Sequence, residues 1–184
     1  MTPGMKAIFR NVPNFLTVLR LAAVPVFCVL MLDGEKTAAI WVFIFAEFTD
    51  VLDGIIARKF NLVTPFGKIA DPVADKMMQL AALFILGGKG MIPRIIPYLV
   101  LFKELFLLVS GLFLISRNID MSSKWFGKLT SVLFFIAIMM AFLGVPRDIT
   151  DVMLWICVGM AVFASIMYIR NYLKQVSKKT DSSN

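Results

Sequence analysis

Histidine is absent from the 184-residue chain, and cysteine occurs only twice. Without histidine, the chain has no imidazole for a catalytic base, a Ser-His-Asp triad or a metal ligand. Cys28 and Cys157 each lie within an apolar run, so they predict neither a disulfide framework nor a zinc site. A metal ion would therefore depend on carboxylates, and oxygen-only ligation favours hard cations such as Mg²⁺ or Mn²⁺.

Charged residues are also scarce. They make up 17% of the chain, whereas 59% of the residues are hydrophobic and the mean hydropathy is +0.83. Soluble domains are only about 45–50% apolar, so this composition predicts a membrane protein. The net charge of +7 does not indicate nucleic-acid binding, because the basic residues are spread over short loops between apolar segments. That distribution is typical of membrane proteins, in which basic loop residues set the orientation in the bilayer and contact anionic lipid headgroups.

Six apolar segments follow one another, each close to the ~20 residues that a helix needs to cross the hydrocarbon core. They are Asn14–Leu32, Thr37–Ala57, Asp71–Gly88, Ile95–Ser116, Leu129–Val145 and Ile149–Ile169. The loops between them contain residues that favour turns, namely Asp33-Gly34, Gly87-Gly88, Pro93 and Pro146. No internal repeat or second domain is visible. The sequence predicts an all-α integral membrane bundle of six transmembrane helices over residues 1–176, followed by a polar tail, 177–184.

Basic residues are unequally divided between the two sides that these six spans define. One side carries 12, Lys6, Arg10, Arg58, Lys59, Lys68, Arg117, Lys124, Lys128, Arg170, Lys174, Lys178 and Lys179. The other side carries 4, Lys36, Lys89, Arg94 and Arg147. The richer side is expected to be cytoplasmic, which places both termini in the cytoplasm and the protein in the cell membrane.

Ionisable residues within the apolar segments are the most informative feature. They are Arg20, Glu47, Asp50, Asp53, Asp71, Asp75, Lys76, Lys103 and Glu104. A charge at the centre of a membrane helix costs about 2.5–3.5 kcal/mol on insertion scales, so such residues mark functional sites by default. Six of the nine lie on the second and third segments, and four of those six are aspartates.

The spacing of the four aspartates places them in two pairs. Asp50 and Asp53 are three positions apart and Asp71 and Asp75 are four positions apart, so each pair shares a helix face. The two helices run in opposite directions, and the pairs are expected to approach each other near the cytoplasmic end. Four carboxylates in a low dielectric repel one another unless cations neutralise them. Two divalent ions bound to all four aspartates would do so, and such a pair suits in-line displacement at phosphorus.

Small residues beside the aspartates leave space for a ligand. Gly54 and Ala57 follow Asp50 on the same face and allow a flat or phosphorylated group to approach the helix. Gly67 is expected to open the turn into the third helix. Arg58 is positioned to bind a phosphate through its planar guanidinium group.

The pattern Asp50-x-x-Asp53-Gly54-x-x-Ala57-Arg58, followed by Gly67, Asp71 and Asp75, resembles the CDP-alcohol phosphotransferase signature at every fixed position. The resemblance implies a metal-dependent enzyme that moves a phosphatidyl group from CDP-diacylglycerol to an alcohol, and it implies a homodimer. It assigns two metal ions, Mg²⁺ or Mn²⁺, to the aspartates, with Asp75 as a ligand or as the base that deprotonates the acceptor. Gly54, Ala57, Arg58 and Gly67 would line the CDP pocket.

Two further segments resemble one branch of that family, the phosphatidylglycerophosphate synthases, whose acceptor is glycerol 3-phosphate. They are Pro13-Asn14 with Thr17 and Arg20, and the run from Asp71 to Lys76. This resemblance adds Asn14 and Thr17 to the CDP pocket and makes Lys103 and Lys128 candidates for acceptor binding. Such synthases often carry a second basic residue two turns after Lys103, where this chain has Gly111.

Other interpretations stay open at this point. Lys103-Glu104 and the run from Trp125 to Lys128 are also compatible with cardiolipin synthases of the same fold, whose acceptor is phosphatidylglycerol. The aspartates could form a structural ion-pair network with Arg58 and Lys76, or an ion path in a divalent-cation transporter. The transporter interpretation lacks the inverted repeat and the broken helix pairs typical of that class. Glu47 either acts in the site or forms a hydrogen bond to a neighbouring helix. Arg20 is expected to support the site. Lys103 either pairs with Glu104 or reaches the site.

Overall fold

The computed structural model describes residues 3–59, 65–115 and 124–181, and the side chains of residues 15–50, 73–109, 127, 129–167, 169 and 170. Within these ranges every element is helical and no strand occurs. The helices are α1 (Pro3–Leu32), α2 (Lys36–Lys59), α3 (Pro65–Gly88), α4 (Ile95–Ile115), α5 (Lys124–Leu143) and α6 (Arg147–Asp181). Six predicted apolar segments thus correspond to six helices, and the all-α class is confirmed.

Two features of the described residues favour a membrane protein. Phe15–Leu32 in α1 and Arg147–Met167 in α6 are long and apolar enough to cross a bilayer, and Leu129–Leu143 in α5 is a shorter apolar stretch. Large apolar side chains are also exposed along every helix, including Trp41 at 67% and Phe102 at 74%. Soluble monomers rarely expose apolar surface this extensively, so the exposure favours a membrane bundle.

Three helices, α1, α3 and α5, end in the same glycine motif. Gly34, Gly90 and Gly144 have φ angles of 88°, 70° and 74°, a region that side chains disfavour. The next residue in each case donates its N–H to a carbonyl five residues earlier, as in Met91 to Leu86 at 2.9 Å. This is the Schellman arrangement, which satisfies carbonyls that the helix leaves unpaired.

The turn after α3 differs from the predicted one. Gly87 and Gly88, expected in the loop, are the last two residues of α3, and Gly90 makes the turn. Gly87 is small for a packing reason, because a Cβ atom there would lie 3.1 Å from Cγ of Pro97. The glycine therefore permits a close approach to the first turn of α4.

All helices except α4 extend beyond the apolar segments at one end or both. The first helix begins at Pro3 where the apolar segment begins at Asn14, and α6 continues through Asp181 into the polar tail. No glycine or proline lies between residues 160 and 181 to stop α6. Hydropathy indicates which part of a helix could contact lipid. The helix itself continues until a residue such as glycine or proline ends it.

The chain divides into two compact units, Met1–Ile85 and Leu86–Asn184. In the first unit α1 and α2 form an antiparallel pair joined by residues 33–35. The buried residues of α1 recur every three or four positions, at Thr17, Arg20, Val24, Phe27 and Met31. Those of α2 do the same at Ala39, Phe43, Ala46 and Thr49. In the second unit α6 packs against both α4 and α5.

Candidate active site

The register of the α1–α2 pair places Arg20 opposite Asp50. The rings of Phe27 and Phe43 meet with their centroids 5.9 Å apart. Seven residues, or about two helical turns, lead back from Phe27 to Arg20 and forward from Phe43 to Asp50. At that level Nη1 of Arg20 lies 2.6 Å from Oδ1 of Asp50. The ion pair is thus a consequence of the same packing that buries the aromatic residues.

The Arg20 guanidinium contacts a backbone carbonyl as well as Asp50. Its side chain is 1% exposed, and its Nε donates a hydrogen bond of 3.3 Å to the carbonyl oxygen of Ala46. The hydroxyl of Thr49 donates to the same carbonyl at 2.8 Å. Thr17, predicted to line the CDP pocket, is fully buried one turn before Arg20 on the same face of α1. Asp50 is 34% exposed, so the buried guanidinium orients a carboxylate that remains accessible.

On α3, Asp75 lies beside a cation. Nζ of Lys76 is 3.2 Å from Oδ2 of Asp75 and donates a hydrogen bond of 3.3 Å to Oε1 of Gln79. Gln79 is buried, and the two charged side chains are 21% and 27% exposed. Lys76 therefore links the predicted base to a fixed amide on the next turn, which restricts its position.

Glu47 lies near charged groups of α1, α2 and α3. It lies within electrostatic range of Asp50 and Asp75, and also of Lys76 and Arg20. Glu47 is thus influenced by one predicted site residue on each of the two helices, and the convergence of the four aspartates stays a prediction. Sequence reasoning left the role of Glu47 open. Its position one turn before Asp50 was the signal that places it beside that aspartate.

Several predicted site residues have no described side chain. These are Asn14 on α1, Asp53, Gly54, Ala57 and Arg58 on α2, Gly67 and Asp71 on α3, and Lys128 on α5. Their backbones are helical, which keeps Asp50 and Asp53 on one face and Asp71 and Asp75 on another. One expectation is corrected: Gly67 does not form the turn before the third helix. It lies inside α3, which begins at Pro65, a residue well suited to a first helical position.

The donor atoms present suit a hard cation. Asp50 and Asp75 supply carboxylate oxygens on accessible side chains, and oxygen is the ligand that Mg²⁺ and Mn²⁺ prefer. Among the side chains that the structure describes, no three acidic or thiol groups are clustered closely enough to hold a metal ion. Asp53 and Asp71 are outside that set, so the four-aspartate site stays a prediction.

Lys103 is paired with its neighbour in the sequence. Its Nζ lies 2.6 Å from Oε1 of Glu104, and the two side chains are 16% and 14% exposed. Of the two alternatives drawn from the sequence, the structure shows the local pair. Both residues belong to the second unit, and binding of the acceptor by Lys103 stays a prediction.

Comparison with known proteins decides the family. The family model described as CDP-alcohol phosphatidyltransferase matches residues 10–163, which is most of the chain. The chain belongs to the CDP-alcohol phosphatidyltransferase family. This confirms the resemblance read from the signature on α2 and α3, and it identifies the chain as an enzyme.

Several curated relatives of this family member are named CDP-diacylglycerol–glycerol-3-phosphate 3-phosphatidyltransferase. The protein from Rickettsia prowazekii is 33% identical over 89% of this chain and 96% of its own length. The protein from Bacillus subtilis is 31% identical over 86% of this chain and 93% of its own length. A probable phosphatidylglycerophosphate synthase from Mycobacterium tuberculosis is 35% identical over 72% of this chain. Nothing in these similarities favours the divalent-cation transporter.

Proposed function

We propose that the protein transfers the phosphatidyl group of CDP-diacylglycerol to glycerol 3-phosphate and releases CMP, as a step in phospholipid biosynthesis. The observation that carries the proposal is the combination of the complete signature on α2 and α3 with relatives named for this reaction over nearly their whole length. The same relatives favour glycerol 3-phosphate over phosphatidylglycerol, the acceptor of a cardiolipin synthase.

The substrate's nucleotide lies, in this proposal, against the small residues of α2. Gly54 and Ala57 admit the CDP group next to the helix, and Arg58 binds its diphosphate through two parallel hydrogen bonds. Gly67, Asn14 and Thr17 complete the pocket. Support comes from the family signature that contains the first four of these residues, and from the helical backbone that keeps Gly54 and Ala57 on the side of Asp50.

Asp50, Asp53, Asp71 and Asp75 would hold two Mg²⁺ or Mn²⁺ ions, which would neutralise negative charge on the diphosphate and on the reacting phosphoryl group. Arg20 has a supporting part in this arrangement. Its buried guanidinium pairs with Oδ1 of Asp50 and so orients this accessible carboxylate. It also reduces the repulsion among the acidic groups before any cation binds.

The chemistry needs one proton transfer and one displacement. Asp75 accepts the proton of the primary hydroxyl of glycerol 3-phosphate, and Lys76 restrains the Asp75 carboxylate in position. The hydroxyl oxygen forms a bond to the phosphorus that carries diacylglycerol. The bond from that phosphorus to the bridging oxygen breaks, and CMP leaves with the electron pair. Direct displacement requires no covalent intermediate on the enzyme.

All six helices are proposed to cross the cell membrane, with both termini and the site on the cytoplasmic side. Support comes from the 12-to-4 division of basic residues and from the apolar exposure of every helix. A homodimer is part of the proposal by family resemblance. Water-soluble glycerol 3-phosphate then approaches from the cytoplasm, and CDP-diacylglycerol approaches through the adjacent leaflet.

Product analysis with competing acceptors tests the proposal. Purified protein in lipid nanodiscs is given CDP-diacylglycerol, Mg²⁺ and equal concentrations of glycerol 3-phosphate and phosphatidylglycerol, and the lipids are identified by mass spectrometry. We expect phosphatidylglycerophosphate as the main product. Cardiolipin as the main product would assign the protein to the alternative acceptor. Absence of any new lipid, with a known synthase active in the same nanodiscs, would contradict the transferase assignment.

A further inference from the structure

The ion pair between Arg20 and Asp50 involves a defined oxygen of the carboxylate. Nη1 of Arg20 lies 2.6 Å from Oδ1 of Asp50, whose side chain is 34% exposed. A carboxylate can bind a metal ion through one oxygen or, as a bidentate ligand, through both. An oxygen that is paired with a guanidinium is not available to a cation at the same time. The pair therefore limits how many oxygens Asp50 can offer to a metal ion.

Arg20 is fixed in this position by a second contact. Its side chain is 1% exposed, and its Nε donates a hydrogen bond of 3.3 Å to the carbonyl oxygen of Ala46. Ala46 lies one helical turn before Asp50, so Arg20 is attached to the turn of α2 that presents the carboxylate. A guanidinium that left Oδ1 would stay buried without its charged partner, at a large cost in free energy. We therefore expect Arg20 to keep Oδ1 when a cation binds Asp50 from its accessible side.

Divalent cations differ in how they use carboxylates. Ca²⁺ takes about 6–8 oxygen ligands in a flexible geometry and binds carboxylates through one oxygen or both. Mg²⁺ requires a compact octahedral arrangement, keeps several water molecules and binds through one or two carboxylates. A carboxylate that supplies a single oxygen is therefore a smaller disadvantage for Mg²⁺ than for Ca²⁺.

We propose that Arg20 is a positioning residue that makes Asp50 a monodentate ligand, through Oδ2, and so favours Mg²⁺ over Ca²⁺ at the candidate active site. The inference rests on the proposed function for the presence of a cation at Asp50. It goes further because it assigns the choice of cation to a residue of α1, outside the aspartate signature. The signature on α2 and α3 supplies the carboxylates, and α1 restricts how one of them is used.

Cation competition measures this selectivity without turnover. Metal-free protein in zwitterionic nanodiscs is titrated with Mn²⁺, whose binding is followed by electron paramagnetic resonance, and Mg²⁺ or Ca²⁺ is then added as a competitor. We expect Arg20→Met to shift the ratio of the Mg²⁺ and Ca²⁺ dissociation constants toward Ca²⁺ by roughly tenfold, the smaller of the effects usual for residues that orient a metal ligand. Lys36→Met removes an exposed positive charge about 21 Å away along α2 and should leave the ratio unchanged.

The ratio separates the proposed role from a purely electrostatic one. Mg²⁺ and Ca²⁺ have the same charge, so the loss of a nearby positive charge alone would change both affinities by the same factor. General damage to the site would weaken the binding of both ions without a preference for Ca²⁺. An unchanged ratio in Arg20→Met would therefore overturn the proposal, as would the absence of any Mn²⁺ binding by the wild-type protein.

A structure of the wild-type protein with Mn²⁺ tests the same point without a variant that must fold. We expect Oδ1 of Asp50 to contact Nη1 of Arg20 and Oδ2 to contact the ion. An ion bound by Oδ1, or by both oxygens, would overturn the proposal. The predicted shift in a protein that forms no lipid product would keep this inference and contradict the proposed function. An unchanged ratio in a protein that forms phosphatidylglycerophosphate would overturn the inference alone.

Discussion

Arg20 and Asp50 face each other across the α1–α2 pair, with Nη1 2.6 Å from Oδ1, but they are buried to very different extents. The side chain of Arg20 is 1% exposed and that of Asp50 is 34% exposed. A charge that is out of water depends on its partner far more than one that water still reaches. The pair is therefore asymmetric. Loss of Asp50 would leave the charge of Arg20 buried without its partner, whereas loss of Arg20 would leave an Asp50 carboxylate that water still reaches.

This asymmetry predicts the order of stability effects. Asp50→Ala should destabilise the metal-free protein by about 1.5–3 kcal/mol, because a buried guanidinium loses its charge-assisted contact. Arg20→Met should cost less, since the remaining carboxylate is partly hydrated and the methionine is apolar. Thermal unfolding in nanodiscs with a chelator present measures both. Asp33→Ala, in the exposed turn after α1, serves as a control and should stay within about 0.5 kcal/mol of wild type. A larger loss for Arg20→Met than for Asp50→Ala would show that the pair is not organised in this way.

Metal dependence is expected from the donor set, which contains carboxylates and no imidazole. Activity should disappear in excess chelator and return when Mg²⁺ or Mn²⁺ is added, because these ions prefer oxygen ligands. The assay is CMP release from CDP-diacylglycerol with glycerol 3-phosphate, with the chelator concentration varied. Full turnover at saturating chelator is incompatible with the proposed use of the four aspartates.

Substitution of Asp75 should remove turnover alone, whereas substitution of Asp50 should remove both metal binding and turnover. Asp75→Asn is expected to lose turnover but to keep measurable binding of CDP, because an amide cannot accept the acceptor's proton. Asp50→Asn and Asp71→Asn should lose metal binding and turnover together. Equilibrium binding of CDP, measured beside CMP release, separates these outcomes. Asp151→Asn on α6 is a suitable control. Near-normal turnover of Asp75→Asn would refute its assignment as the base.

Lys103 should influence the acceptor more than the lipid substrate. Glycerol 3-phosphate has a dianionic phosphate, so loss of a cation that binds it should raise the KM for glycerol 3-phosphate selectively. We expect Lys103→Ala to reduce kcat/KM for this acceptor by at least roughly tenfold, corresponding to about 1.5–3 kcal/mol. Lys89→Ala, in the exposed turn after α3, is the matched control.

The pair with Glu104 offers a second variant for the same question. If Lys103 acts only through its contact with Glu104, then Glu104→Gln should reproduce the effect of Lys103→Ala on both substrates. If Lys103 binds the acceptor, Glu104→Gln should leave the KM for glycerol 3-phosphate near that of wild type. Equal loss for both substrates in Lys103→Ala would make this lysine structural.

The helices and part of the site could be predicted because their signals are local and periodic. Buried residues recur every three or four positions in α1 and α2, and the short turn at Gly34 makes the two helices antiparallel. The sequence led to the expectation that Arg20 supports the site, whereas its pairing with Asp50 needed the register that the structure shows at Phe27 and Phe43. The pairing of Asp50 with Asp53, and of Asp71 with Asp75, depends on helical spacing alone.

Other features depend on contacts that a sequence pattern does not contain. Gly87 resembles a turn residue until its approach to Pro97 is known. Lys103 and Glu104 are adjacent, so side-chain rotamers decide whether they meet, and periodicity does not report rotamers. Glu47 lies within electrostatic range of Asp75 on another helix, and its own helix gives no indication of that partner.

The transfer of radiolabelled glycerol 3-phosphate into lipid tests the central claim most directly. Wild-type protein and Asp75→Asn are incubated in nanodiscs with CDP-diacylglycerol, Mg²⁺ and the labelled acceptor, and CMP and chloroform-soluble label are measured together. The proposed function predicts that wild type forms CMP and labelled phosphatidylglycerophosphate in equal amounts, and that Asp75→Asn forms neither. Label that remains in the aqueous phase while the wild-type protein binds CDP-diacylglycerol would contradict it.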